Sequence, residues 1–473
     1  MEGYIVSLII FTAVFAMFSL GLNLQWGFTG LLNFGQVAFM LVSAYLVVML
    51  TSDGYLQSIP TQLLEEFEWM ANTPPIAHTL QFLSSHLPSQ VPIMVAVIIG
   101  AIASALVGIL MGFATLKLRT DYLAIVTIGI SEILRSVALN EQWLTRGSFG
   151  IQRFPLPLAD LNPNYGMRLG MIVSFTAVVG WGTWLLWQWI HKTTKSVPKS
   201  LLIRNGGLLL GYGAAIGLCV WGTGAIAHAI NNLSALPQWV AGFVSVLGLS
   251  GITWASITIG KKYLGQLSNL SASMAVVSTL VITGLGLWVY GFAVSALYHY
   301  DRNPTKTGLM WICVLTIAAM VWGLERLVQS PWGRVLKSIR EDEDVALTLG
   351  KNVFWYKLQA LMLGGAITGL SGALYVWQLT AVYPDQFKPI ATFNGWTIVV
   401  LGGAGNNIGT LLGATIFWTY QTASRFFLDD LFPFTDAQLG ALRVMLIGLL
   451  LMVLMMVRPQ GLLGKSDELT LNR

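Results

Sequence analysis

Apolar runs of about twenty residues recur along nearly the whole chain, and no other feature limits its fold as severely. A helix needs about 20 apolar residues to cross the hydrocarbon of a bilayer. By that measure spans fall at roughly 5–25, 31–50, 91–115, 121–140, 168–190, 206–229, 238–260, 273–298, 308–328, 356–380 and 439–457. Of the 473 residues 55% are hydrophobic and 10% are charged, where a soluble domain carries about 25% charged residues. So few polar side chains cannot cover a soluble surface. A soluble enzyme, a disordered regulator and a nucleic-acid binder are excluded. The expected fold is all-α, a polytopic transmembrane helix bundle of about 12–13 membrane segments.

One apolar stretch, 393–427, is too long for a single span and is split by Gly402-Gly403-Ala404-Gly405-Asn406-Asn407-Ile408-Gly409-Thr410. This pattern predicts a broken or re-entrant Gly-rich helix, since irregular backbone at membrane depth is tolerated only inside protein or beside a polar cavity. The two cysteines, Cys219 and Cys313, lie in separate apolar runs and give no disulfide framework or thiolate metal site. The N-terminus has no basic residue before its apolar stretch and no small-residue cleavage pattern after it, so the first span is expected to stay as a membrane helix.

The few charges set sidedness. With Lys117 and Arg119 inside, the alternating connections 115–121, 191–205, 261–272, 326–357 and the tail from Arg458 hold 17 of the 26 basic residues. The opposite segment 51–90 holds none and carries Asp53, Glu65, Glu66 and Glu68. This asymmetry puts the basic connections on the cytoplasmic side. In the exterior segment, residues 61–70 read as a surface helix that starts near Pro60-Thr61 and ends before Pro74-Pro75.

The most distinctive polar stretch, 330–350, is cytoplasmic by this scheme. Ser330-Pro331 is a good helix start. A second short helix opens with Glu341, Asp342, Glu343 and Asp344, which suit the helix dipole, and ends at Gly350, a residue type favoured for a left-handed cap. Val345, Ala346, Leu347 and Leu349 give it apolar surface. A helix of this kind is either a docking element or a solvated linker.

Ser330 to Gly350, followed by Asn352-Val353 and Tyr356-Lys357-Leu358, resembles the ATPase-coupling loop of permease subunits in ATP-binding-cassette (ABC) importers. More narrowly, it resembles that of LivM-type permeases of branched-chain amino-acid importers. Three further blocks agree: Gly21 to Gln36, where the family usually has His at the place of Gln36; Leu118 to Thr127 with Glu132-Ile133 and Arg135; and Val399 to Gly409 with Gly413-Ala414. The ending, Arg458 to Gly464, is also similar to the family's. The four blocks in order cover about 330 residues.

The resemblance implies an importer of neutral, aliphatic or branched-chain amino acids in the inner (plasma) membrane of a bacterium. It would be one half of a membrane dimer with a second permease subunit, favoured to be a paralogue. Two cytosolic ATPase subunits would lie beneath and an exterior substrate-binding protein above, with lipid around and no nucleic acid. The chain itself would hold no cofactor, ATP and Mg being bound by the ATPase partners. Its coupling residues would be Arg334, Arg340, Glu341 and Glu343 for polar contacts, Ala346 and Leu349 for packing, and Gly350 as cap. A urea or short-amide importer shares these blocks and stays as an alternative. An ion-coupled secondary transporter would need several deep carboxylates, and Glu132 alone qualifies.

No nucleotide site is read in the chain: Gly464-Lys465-Ser466 imitates the end of a phosphate-binding loop, but Pro459 stands where its first glycine belongs. The candidate translocation path is Asn23, Thr29, Gly30, Asn33 and Gln36 in the first block, with Gly402, Gly403, Gly405 and Asn406 in the third, joined by Asn407. Their amides either face a passing solute or glue helices together. Glu132 lies about 16 Å beyond Asp121 along a helix, and Arg135 follows on the same face. The pair is either a gate that orients substrate or a structural lock.

The chain departs from the family over 165–305, where four spans precede the usual last span before the coupling loop. This divides it into an N-terminal section of the permease core (residues 1–164), a four-span insertion (residues 165–305) and a C-terminal section of the core (residues 306–473). An even number of added spans leaves the coupling loop on its original side.

Overall fold

In the computed structural model, the described residues are 2–118, 120–159, 161–194, 286–431, 435–457 and 460–463, with single positions 211, 222, 248 and 251. The expected spans 206–229 and 238–260, the start of 273–298, Arg119, Arg458, Pro459 and Gly464 lie outside them. Among the described residues five helices are long and apolar enough to cross a membrane, or up to seven if each bent pair counts as one span.

The long apolar runs fold as helices because a backbone in lipid must satisfy its own hydrogen bonds. Helix α1 (Glu2–Leu22) continues as a π-helical turn, Asn23–Gly27, and α2 (Val37–Thr51) follows an irregular segment. The span read as 31–50 therefore begins later, because 28–36 is irregular, held by scattered backbone bonds and by the side chains of Asn33 and Thr127 rather than by a continuous helical ladder. Next come α3 (Tyr55–Glu66), α4 (Glu68–Ala71) and α5 (Pro74–His86). The expected surface helix 61–70 is thus corrected: it starts at Tyr55, carries Pro60 inside it, breaks at Phe67, and Pro74 opens a third helix instead of only ending the second.

After α6 (Ile93–Thr115), α7 (Thr120–Asn140) and α8 (Gln142–Thr145) comes α9 (Tyr165–Thr194). Beyond the undescribed residues lie α10 (Gly286–Tyr298), α11 (Pro304–Gln329), α12 (Pro331–Glu341), α13 (Glu343–Thr348) and α14 (Val353–Leu379). The chain goes on through α15 (Ile390–Gly402), α16 (Asn407–Leu431) and α17 (Asp436–Val457). Residues 384–402 and 407–425 meet at 117°, the broken helix expected at 402–410, and α2 bends against α3 by 104°.

The chain divides into two compact units. The first draws on Met1–Met171, Ala296–Ile416 and Gln460–Arg473. At its centre α14 packs against α1, α2 and α6. Close approach there depends on small residues. A Cβ at Gly364 would lie 2.7 Å from the Gly21 carbonyl, and one at Gly372 would lie 2.4 Å from that of Met40. Strand β1 (Ile151–Gln152) pairs antiparallel with β2 (Ala381–Val382), Ile151 opposite Val382. The second unit comprises Ile172–Ser295 and Phe417–Pro459. Within it Phe175 stacks on Tyr290 with centroids 6.1 Å apart, and the Tyr420 hydroxyl donates to the Arg443 carbonyl at 3.2 Å.

Candidate coupling and translocation site

The polar stretch 330–350 folds as two helices, and each boundary has a local cause. Extended Ser330 precedes Pro331, whose missing N–H costs nothing in a first turn. Leu336 and Ile339 turn inward. The run of four acids is split rather than shared: Glu341 ends α12, Asp342 caps α13 by accepting from the Val345 N–H at 3.0 Å, and only Glu343 and Asp344 occupy the first turn. Gly350 has φ +75°, and its N–H donates to the Leu347 carbonyl at 2.9 Å while that of Lys351 reaches Ala346 at 3.2 Å, a left-handed helix end.

The burial of this coil changes the roles assigned from sequence. Ala346 is 1% exposed and packs with Ile339, Val353, Val335 and Tyr356, so it holds α13 to its own chain instead of presenting itself outward. Glu343 is paired with Lys357. The outward apolar side chains are Val345, Leu347 and Leu349, at 53%, 51% and 70% exposure. Glu341 is exposed, and exposed Arg334 donates to the Gln329 carbonyl at 3.3 Å. Arg340 points the other way: its Nη1 donates to the carbonyl of Gly27 in the π turn.

That contact leads to the two glycine blocks, which the fold brings together. The Oδ1 of Asn23 accepts from the Gly405 N–H at 2.8 Å, and its Nδ2 donates to Asn407 Oδ1 at 3.2 Å. Asn407 donates in turn to Glu325 at 3.2 Å. Asn406 donates to the Leu463 carbonyl at 2.8 Å and accepts from the Gly409 N–H at 3.1 Å. Residues 460–463 close over the break, with Leu462 and Leu463 N–H groups on the Leu401 and Gly402 carbonyls, each at 3.0 Å. Gly402 and Gly409 approach so closely that a Cβ on Gly402 would meet the Gly409 carbonyl at 2.1 Å. Gly403 has φ +109° at the turn itself.

A second amide cluster lies beside it. Asn33 Nδ2 donates to both Gln25 Oε1 and Gln36 Oε1 at 2.9 Å, and Gln36 donates to Thr368. Thr29 donates to the Leu24 carbonyl at 3.1 Å, and Gly30 lies against Arg340, whose Cγ is 3.7 Å from where a Cβ would be. Asn23, Gln25, Asn33 and Gln36 are all 0% exposed. In this conformation, then, the amides join segments of the bundle. Sequence reasoning misses Gln25 and Thr368, although an amide inside an apolar run is signal enough for Gln25. The Gly365-x₃-Gly369 spacing likewise marks α14 as a packing helix.

Glu132 and Arg135 pair as their spacing predicts, Arg135 Nε donating to Glu132 Oε1 at 3.0 Å. The pair belongs to a larger set. Arg135 also reaches Asp385 at 3.2 Å, and Asp385 pairs with Lys388 at 3.3 Å. Four charges of alternating sign thus tie α7 to the turn before α15. Glu132 keeps 41% of its side chain exposed and Arg135 16%. Among the described residues no three His, Cys, Asp or Glu side chains are grouped to hold a metal.

The described residues thus form a polytopic helical membrane protein with a broken helix and a short helix pair that leaves apolar side chains exposed. The chain belongs to the family described as the permease component of branched-chain amino acid transport systems, which it matches over residues 4–194 and 164–455. It is 25% identical over 327 residues to a probable branched-chain amino acid transport permease, LivM, of Methanocaldococcus jannaschii, covering 65% of this chain and 87% of that one. It is 24% identical over 453 residues to the high-affinity LivM permease of Escherichia coli, covering 96% and 68%. A shorter similarity, 26% over 236 residues, covering 46% of this chain and 62% of the other, is to the autoinducer 2 import permease LsrC of Yersinia pestis. No solved structure matches the chain significantly.

Proposed function

We propose that the chain is the transmembrane permease subunit of an ABC importer that moves amino acids inward, branched-chain or other neutral aliphatic ones, driven by ATP hydrolysis on separate subunits. The observation that carries this is the α12–α13 coil: three exposed apolar side chains, Val345, Leu347 and Leu349, on a short helix that Ala346 and the Glu343–Lys357 pair clamp to the body. A clamped projection transmits force, whereas a solvated linker would absorb it. Val345, Leu347 and Leu349 with Glu341 and Arg334 form the face for an ATPase groove.

Two cytosolic ATPase subunits bind ATP and Mg, an exterior binding protein delivers substrate, and a paralogous permease completes the path in a bacterial inner membrane. The amides of Asn23, Asn33, Gln36 and Asn406, with Thr29 and the glycines 30, 402, 403 and 405, close the cytoplasmic end of that path. The Glu132–Arg135–Asp385–Lys388 set lies toward its exterior end. Segment 165–305 is a peripheral insertion.

The test is competition uptake with labelled leucine, alanine, proline and urea in cells that express the whole complex, with and without vanadate. Vanadate-sensitive leucine uptake that urea does not compete supports the reading. Vanadate-resistant, ion-driven uptake would refute it, and urea uptake would move the substrate to short amides. Deleting 165–305 with its flanks kept should leave uptake in place.

A further inference from the structure

The coupling coil and the helix breaks share one side chain. Arg340 sits one residue from the end of α12, yet it reaches inward to the Gly27 carbonyl, 313 positions away in sequence. Gly27 ends the α1–π helix, where unpaired carbonyls carry partial negative charge and favour a cation. The same guanidinium lies against Gly405, where a Cβ would come within 2.7 Å of Nη1; φ of +78° and the Gly27 carbonyl, 2.9 Å from that Cβ, are what favour glycine there. Gly405 belongs to the turn that follows the C-terminal end of α15. Lys337, one turn earlier on α12, lies 5.7 Å from the centroid of the Phe28 ring. The Arg340 contact is a charge-assisted hydrogen bond, among the stronger kinds.

We infer that Arg340 is the positioning residue that latches the cytoplasmic end of the path: it holds the Gly27 and Gly405 breaks together while α12 is at rest and releases them when α12 is displaced. The latch deepens the importer reading and rests on it for its role in transport. Behind it, Asn23 holds the Gly405 N–H and Asn407. A shift of α12 that withdraws the guanidinium takes its charge from between the two breaks and leaves the Asn23 carboxamide to join them. Displacement of the coil thereby loosens two helix ends, buried Gly27 and partly buried Gly405, that Asn23 alone still joins.

Two measurements on Arg340→Gln test the latch. Hydrogen–deuterium exchange of the full chain in nanodiscs reads the Gly405 amide directly; the inference expects at least tenfold faster exchange there, with α14 unchanged. Exchange within twofold of wild type overturns it. In the whole complex, with ATPases and binding protein, uptake should fall at least tenfold and hydrolysis should lose its stimulation by loaded binding protein. Arg340→Lys, which keeps a cation, should recover at least a third of wild-type uptake. Loss of the ATPase from the purified Arg340→Gln complex would make Arg340 a docking contact and overturn the latch, as would faster exchange with normal uptake. A wild-type complex without ATP-dependent uptake would sink the importer reading instead, and exchange at Gly405 would still decide whether Arg340 holds the breaks.

Discussion

Asn23 and Asn407, 384 positions apart, are joined through their carboxamides at 3.2 Å, each at the point where a long apolar helix stops being regular. A broken helix leaves backbone groups that lipid cannot satisfy. Here one break supplies the partners for the other. Asn23 accepts the Gly405 N–H and Asn407 passes the network on to Glu325.

Replacing Asn23 with Ala leaves the partly buried Gly405 N–H and one side of buried Asn407 without these partners. The expected cost is about 1–3 kcal/mol, read as a lower thermal midpoint of the purified chain in detergent. A midpoint equal to wild type would mean that the breaks are held by something other than this carboxamide.

Gly372→Ala and Gly129→Ala should part company. The first places a Cβ 2.4 Å from the Met40 carbonyl and must push α14 away from α2, so folded yield should collapse. The second meets nothing within 4 Å on a helical backbone and should be neutral or slightly stabilising. Size-exclusion profiles of the two variants check this.

At Gly350 the constraint is conformational, since nothing lies within 4 Å of a Cβ there while φ is +75°. Gly350→Val should cost about 1–2 kcal/mol in the local turn, leave the membrane helices folded and abolish recovery of the ATPase with the permease. Gly350→Asn, a residue that tolerates this region, should keep most of it. Equal recovery with Val and Asn would refute the role of the cap.

Leu349→Asp and Leu347→Asp should abolish ATPase recovery without lowering the thermal midpoint, because both side chains face outward. Ala346→Leu should do the reverse first: overpacking a 1% exposed site costs about 1–3 kcal/mol before any partner is involved. Pull-down and thermal unfolding of the same preparations separate the two effects.

Glu132→Gln leaves Arg135 its contact with Asp385, so the turn at 384–387 should stay docked on α7 and assembly should be normal, with any defect confined to substrate affinity or coupling. Arg135→Gln removes both pairs and should loosen that turn, seen as faster amide exchange at 384–388. Impaired assembly in Glu132→Gln would instead identify the pair as a lock.

Features that depend on near neighbours along the chain are legible in the amino-acid sequence. Hydrophobic length, the Ser330-Pro331 start, the Gly350 stop and the glycine run at 402–409 are local, and they fall where expected. The surface helix at 61–70 is one exception, because Pro60 suggests a start while the helix around it begins five residues earlier, and the span read as 31–50, which begins at Val37, is another. Ala346 and Leu349 look alike as apolar members of one short helix. Only packing against Ile339 and Val353 separates them.

The sequence by itself determined that this chain is a multi-pass helical membrane protein, that a glycine run breaks a helix at 402–410 and that two short helices fill 330–350. These follow from hydrophobic length, charge placement and backbone chemistry, which act over a few turns. Only the tertiary structure decided that Arg340 turns inward to Gly27, that Asn23 and Asn407 meet, and that Asp385 completes the Glu132–Arg135 pair. Each joins groups separated by at least 250 positions, and whether such groups meet depends on how the helices pack rather than on any nearby residue.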